Sequence, residues 1–307
     1  MEWIFARWLT FVATIVVTGV CAVGLGILPR ASVDTEARRT IAHDLSGVGI
    51  ISSLALIPAS LLRLADQLFA LRSSGDPLLA GFAPLMMSTT WGTGFRWQSA
   101  AILVTLVGML LIRRAPQAPW RWLLATAGAI GLCAAPSLQG HAIGNEFYTT
   151  IAVTADITHV LGAGLWLGGI AAIGWLGCTI PNSDGIVQPE RAAVADARLR
   201  LLVPLVPAIA LTGAALLVSS GTVSSVLELR TVSDLWDTEW GRYVLLKGAL
   251  VLGIMTLGAV NWRRLGPAMR VTVGVPALRR SLLIELALAA IVLVVTALLV
   301  VTSLPGE

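Results

Sequence analysis

The sequence predicts an all-α fold, a polytopic membrane helix bundle of about eight transmembrane helices. Two proportions and one length carry that expectation. Of 307 residues, 56% are hydrophobic and only 12% are charged, about half the charged share of a soluble domain. A hydrocarbon core of ~30 Å takes roughly 20 apolar residues at a rise of 1.5 Å each, and the chain holds eight apolar stretches of that order.

The stretches cover residues 3–28, 46–70, 95–112, 120–138, 152–176, 199–219, 240–260 and 282–301. The first has no small-residue cleavage site after it, so it reads as a retained helix rather than a signal peptide. The second follows His43 and Asp44. The third opens on Trp91-Gly92 and closes on Arg113-Arg114. The fourth carries Cys133 and then Pro136, which bends a helix by removing a donor. The fifth carries Asp156, His159 and Trp166, the last flanked by Gly162, Gly164, Gly168 and Gly169. The seventh opens on Trp240-Gly241, contains Lys247 and closes on Arg263-Arg264, and the eighth contains Glu285.

Basic residues orient the bundle, because Arg and Lys are retained on the cytoplasmic side. They concentrate in alternate loops: Arg30, Arg38 and Arg39; Arg113, Arg114 and Arg121; Arg191, Arg198 and Arg200; then Arg263, Arg264, Arg270, Arg279 and Arg280. The intervening loops hold Arg72, Arg96, Arg230 and Arg242. Both termini are therefore expected outside, in the periplasm if the membrane is a bacterial inner one. Tryptophan follows the same map, with Trp3, Trp8, Trp91, Trp97, Trp236 and Trp240 near outer boundaries and Trp120, Trp122, Trp175 and Trp262 near inner ones, as aromatic belts require. The shared Trp-Gly opening and Arg-Arg closure of the third and seventh helices suggest a parallel four-plus-four repeat, with halves 1–145 and 146–307 inside one integral membrane domain. The excess of Arg serves orientation, not nucleic acid binding. Cys21, Cys133 and Cys178 lie far apart, which supports neither a disulfide framework nor a zinc ribbon.

Ionisable groups inside a span cost a few kcal/mol on insertion scales (about 2.5–3.5), so each needs a partner or a role. The densest group surrounds the loop after the fourth helix, where Gln139-Gly140-His141 is followed by Asn145, Glu146, and then Asp156 and His159 one turn apart on one helix face. Imidazole binds copper, zinc, iron and nickel, and a carboxylate beside it orients the ring or completes the ligand set. His141, His159 and Asp156 are therefore the candidate metal ligands; the alternative is a buried His159 hydrogen bonded to Asp156, with His141 a solvated cap. Trp166 fills or gates the gap between glycine-faced helices. Met86 and Met87 offer thioethers that suit Cu(I), or simply pack. Cys133 reads as a packed hydrophobe. His43 stands at the cytoplasmic entrance of the second helix. Lys247 is expected to snorkel outward or to pair with an acidic residue such as Asp156, and Glu285 to pair with Arg280 or to line an exit. No HExxH, GxSxG, P-loop or strand-linked GxGxxG is present, so the chain reads as a non-enzyme with no organic cofactor.

Gly140-His141-Ala142 and the run from Asp156 through His159 and Trp166 to Ile170 resemble the hallmark of the copper resistance protein D family. That family shows Gly-His at such a turn and then a histidine followed along the helix by Trp-x-Gly-Gly-Leu, matched here by His159, Trp166, Gly168 and Gly169, with Ile170 in place of Leu. Two further stretches fit, Trp240-Gly241-Arg242-Tyr243 through Lys247 to Asn261, and Ser281 to Ala287. The likeness is strongest over 139–303 and looser in the first half, at Thr90-Trp91-Gly92. It implies an eight-helix protein of the bacterial inner membrane that moves copper, as Cu(I) or Cu(II), from periplasm to cytoplasm, embedded in the lipid bilayer. In some relatives a periplasmic copper-binding domain of the CopC type is fused at the front; here the chain begins with a helix, so such a donor is expected to be a separate protein. Two other functions fit the residues: a haem-binding electron carrier ligated by His141 with His159 or His43, and a non-transporting membrane scaffold subunit.

Overall fold

A computed structural model describes residues 4–72, 77–140, 148–178, 188–268 and 275–305. The fold is 88% helical and, among the described residues, has no strand. Helix α1 (Ile4–Ala22) runs on through a π turn, Val23–Ile27, and a 3-10 turn, Leu28–Arg30. It is followed by α2 (Thr35–Leu71), the short α3 (Phe82–Ser88), α4 (Thr90–Arg114) and α5 (Pro119–Ala134). Then come α6 (Thr149–Ala163), a second π turn (Gly164–Gly168), α7 (Gly169–Leu176), α8 (Pro189–Leu202) and α9 (Val206–Glu228). A single turn, α10 (Asp234–Asp237), precedes α11 (Glu239–Ala268) and α12 (Val275–Leu299).

Among the described residues, seven stretches of helix are long and apolar enough to cross a membrane. The eighth expected crossing falls on α5, whose 16 residues rise only ~24 Å and which is not one of the seven. It ends at Ala134 rather than at 138 because Pro136 denies the next turn its donor, and residues 135–140 continue as turns. The path still traverses the bundle. Arg121, at the start of α5, donates to Leu111 O at 3.2 Å and also to Ala115 O. At the far end Gln139 reaches Gln98 of α4 at 3.0 Å, which in turn donates to Ser60 of α2 at 2.9 Å.

Two other helices outrun their apolar stretches. Helix α2 begins at Thr35 rather than 46, since the Asp34 side chain accepts the Ala37 N–H at 2.7 Å and caps the helix before its apolar part begins. The expected helix over 199–219 is part of a path from Pro189 to Glu228, interrupted by a 3-10 turn at Val203–Leu205 where Pro204 and Pro207 lack donors.

Helix α1 is the most buried of the seven spans and forms the centre of the bundle, touching α2, α5, α6, α7 and α12. Its closest neighbour is the second π turn. A Cβ built on Gly19 would stand 1.9 Å from the Gly168 carbonyl carbon, and one on Gly168 would stand 2.0 Å from Ile15 O. Only glycine at both positions lets these backbones meet. The Arg-rich loops gather at one end of the bundle: Arg198 pairs with Asp44 at 2.8 Å, Arg279 with Asp196 at 2.7 Å, and Gly47 lies against Arg113. Trp97, Trp120, Trp175, Trp236 and Trp262 are exposed, as interfacial rings should be. Trp122 and Trp240 depart from the belt expectation and are buried, Trp122 because its ring fills the notch left by Gly24.

The Trp-Gly openings of α4 and α11 share a device. Thr89 accepts the Gly92 N–H at 2.9 Å and donates to Leu85 O at 2.7 Å; Thr238 accepts the Gly241 N–H at 3.0 Å and donates to Asp234 O at 2.6 Å. A Cβ on either glycine would collide with that same carbonyl oxygen, at 2.0 Å and 2.1 Å.

Candidate functional site

Between α1, α6, α9, α11 and α12 lies a cavity of about 840 Å³, lined mainly by apolar side chains. It extends from Arg7, Arg63 and Glu228, at the end remote from the Arg-rich loops, down to Trp166, Ile254 and Met255. Below Arg7, Arg63 and Glu228, three further ionisable side chains of the spans line it: Asp156, His159 and Lys247.

Asp156 and His159 share the α6 face as their spacing predicts, yet they take different partners. Asp156 Oδ2 accepts from the Ser137 hydroxyl at 2.9 Å. The His159 ring is held from α9: Nδ1 lies 3.0 Å from Leu217 O and 3.4 Å from Ser220 Oγ. A carbonyl only accepts, so Nδ1 carries the proton and Nε2 bears the lone pair. Gly221 makes the seat for the ring, since a Cβ there would stand 2.9 Å from His159 Cε1. On the other side, Lys247 Nζ lies 3.4 Å from Nε2. The alternative of a His159–Asp156 hydrogen bond is thus replaced by one to a backbone carbonyl, and Lys247 does not snorkel but faces an imidazole nitrogen while it interacts electrostatically with Asp156, as the pairing alternative expected.

The remaining candidates fall in separate places. His141, with Asn145 and Glu146, lies outside the described residues. Trp166 is buried in the second π turn and closes the bottom of the cavity. Met86 packs with Leu68 and Leu85 in a small cluster backed by Leu64, Trp91 and Phe95, while Met87 is exposed beside Arg96; the helix α3 points the two sulfurs apart. Cys133 is buried against Thr18, with Sγ 3.5 Å from its hydroxyl. His43 is half exposed at the Arg-rich end, 3.7 Å from Asp44, so it does not share a site with His159. Glu285 is buried and takes Asn261 of α11 as its donor rather than Arg280; Ser281 in turn donates to Asn261 Oδ1 at 2.7 Å. Among the described residues, no three His, Cys, Asp or Glu side chains converge on one point.

Sequence reasoning missed Ser137, Leu217, Ser220 and Gly221. A signal for the last two was present: Ser219-Ser220-Gly221-Thr222 is a polar run inside an apolar span. In its deeper part the cavity presents the His159 lone pair, the Asp156 carboxylate and the Lys247 ammonium to a largely apolar space, a set suited to brief capture of a metal ion that imidazole binds rather than to a closed tetrahedral site.

Two family models match the chain and together cover most of it. One, copper resistance protein D, matches residues 200–299, and the other, copper resistance protein D-like, N-terminal domain, matches residues 1–147. The chain belongs to the copper resistance protein D family. A curated relative, copper transport protein CutJ of Bacillus subtilis (strain 168), is 29% identical over 176 residues, which is 57% of this chain. This chain spans under a third of that relative's length, since the match covers 29% of it. No solved structure matches.

Within this copper resistance protein D fold, the 200–299 match contains Leu217, Ser220, Gly221, Lys247, Asn261 and Glu285, and the 1–147 match contains Cys133 and Ser137. Asp156, His159 and Trp166 lie between the two. The cavity is therefore built where both matched regions meet the segment that joins them.

Proposed function

We propose that this family member carries copper across the bacterial inner membrane from periplasm to cytoplasm, without ATP and without chemistry on the cargo. The observation that carries the reading is the Nε2 lone pair of His159, turned into a cavity of about 840 Å³ that runs down from the end remote from the Arg-rich loops, with Asp156 on the same wall. Retention of Arg on the cytoplasmic side makes the open end of that cavity periplasmic, and with it both termini. His141 follows Gly140, which lines the cavity, and serves in this reading as the outer imidazole. A separate periplasmic copper-binding protein of the CopC type would deliver the metal. The relative named a copper transport protein supports the cargo.

A membrane potential negative inside draws a cation inward with about 2.3 kcal/mol per charge per 100 mV, enough to drive passage if no site holds the ion tightly. The test is cellular copper accumulation at equal expression of wild type and His159→Ala. Accumulation is expected to fall several-fold in the variant; unchanged accumulation removes His159 from the path and the reading with it.

A further inference from the structure

We propose that Lys247 is a tethered counter-cation: its ammonium occupies the one available nitrogen of His159 until the cargo ion takes that nitrogen, and then moves onto Asp156. The inference rests on the carrier reading and adds to it the device that keeps the site weak.

The geometry leaves the imidazole a single place to bind. Leu217 O and the ring seat at Gly221 fix Nδ1 as the protonated nitrogen, because a hydrogen-bonded partner on one ring nitrogen sets the role of the other. Nε2 is then an acceptor, and the group facing it at 3.4 Å is Lys247 Nζ, a pure donor. An arriving metal ion needs that same lone pair and repels the ammonium beside it. The two cations exclude one another.

The structure also gives the displaced ammonium somewhere to go. Lys247 stands on α11, the least buried of the seven spans, and its four-carbon stem borders the cavity. Asp156 lies on the same cavity within electrostatic reach of Lys247, and Ser137 occupies only one of its oxygens with a donor. Asp156 is one residue-turn above His159 on α6, so a swing of the Lys247 stem carries its charge from an imidazole to a carboxylate. One positive charge leaves Nε2 as another arrives, and return of the ammonium expels the cargo. Lys247 is here a positioning and selectivity residue, since it acts on the metal through His159 and Asp156.

The test is silver(I) binding, as a redox-inert stand-in for Cu(I), by the full chain in lipid nanodiscs, titrated against a competing chelator. Lys247→Leu is expected to bind silver at least ten-fold more tightly than wild type, a gain that a merely structural lysine would not produce. His159→Ala in the Lys247→Leu background should erase the gain, and Lys247→Arg should not show it. Asp156→Asn should weaken binding when Lys247 is present and have little effect in Lys247→Leu. If Lys247→Leu does not fold, Lys247→Gln carries the same expectation. Binding by Lys247→Leu no tighter than wild type, with His159→Ala still weakening it, overturns the exchange and leaves the carrier reading standing. Silver binding indifferent to His159 in both backgrounds overturns both.

Discussion

Two aspartates show how differently this chain supports a carboxylate. Asp156, about 10 Å below the start of α6 at helical rise, has the Ser137 hydroxyl as a partner and the charge of Lys247 nearby. Asp234, in the turn before α11, accepts the backbone N–H groups of Thr231 at 2.8 Å and Arg230 at 3.0 Å, and the Thr231 hydroxyl at 2.8 Å. These donors, the Thr231 N–H foremost, hold its carboxyl below the usual value of 3.8. A carboxyl lowered by folding stabilises the folded turn fully above its unfolded value, and that contribution is lost as pH falls through the lower folded one. Hydrogen exchange at Thr231 and Arg230 should therefore be slow and pH-insensitive in protection above about pH 5 and lose protection only below ~pH 4. In Asp234→Asn this acid-linked loss should vanish; if it persists, another group governs the turn. At this scale the sequence was legible where neighbours were local. The i, i+3 spacing placed Asp156 and His159 on one face, whereas the Lys247 contact joins residues 88 apart and depends on where α11 lies, which no local pattern encodes. Glu285 follows the same rule, with Asn261 across the helix pair winning over Arg280 nearby in sequence.

Helix ends and helix crossings were legible to different degrees for a physical reason. Apolar length marks the part of a helix in lipid, but caps and prolines decide where it stops, so α2 starts early at Asp34 and α5 stops early before Pro136. The glycines around Trp166 signalled close packing without revealing the partners, which prove to be α9 for Gly162 and α1 for Gly164 and Gly168. The crossing with α1 makes a sharp prediction from two adjacent residues. Gly168→Ala drives a methyl into Ile15 O at 2.0 Å, backbone against backbone, whereas Gly169→Ala meets nothing within 4 Å. Overpacking of this kind costs about 1–3 kcal/mol or more, while a helical Gly→Ala with free space gains roughly 0.5–1 kcal/mol. Thermal unfolding of the detergent-purified variants should show Gly168→Ala well below wild type and Gly169→Ala at or slightly above it. Equal melting of the two would mean that α1 and the second π turn are not in contact as described.

At the scale of the whole molecule, the two halves parallel each other in more than their Trp-Gly and Arg-Arg signatures. The first three spans contain 27, 37 and 25 residues and the next three contain 28, 40 and 25. The first span of each set carries a π turn, and the third of each opens on the threonine cap shared by Gly92 and Gly241. These correspondences support a parallel repeat, and such a repeat has a consequence for α5. Two halves related by an axis along the membrane normal would each cross an even number of times, so a parallel repeat predicts that α5 traverses the membrane despite its 16 residues. Its path from Leu111 to the level of Gln98 accords with that requirement. Reporter fusions decide the matter. With α5 crossing, a fusion after Glu307 should place alkaline phosphatase in the periplasm, where it is active, and a green fluorescent protein there should stay dark. Fusions in the 115–118 loop and after Gly177 should show the opposite pattern, since Ala115 and Gly177 both lie against arginines of the Arg-rich end. A fluorescent fusion at Glu307 together with fluorescence in the 115–118 loop would mean seven crossings. The halves would then have opposite parity, and the parallel repeat would fall, while a cavity closed by α1 against the glycines of the second π turn would remain.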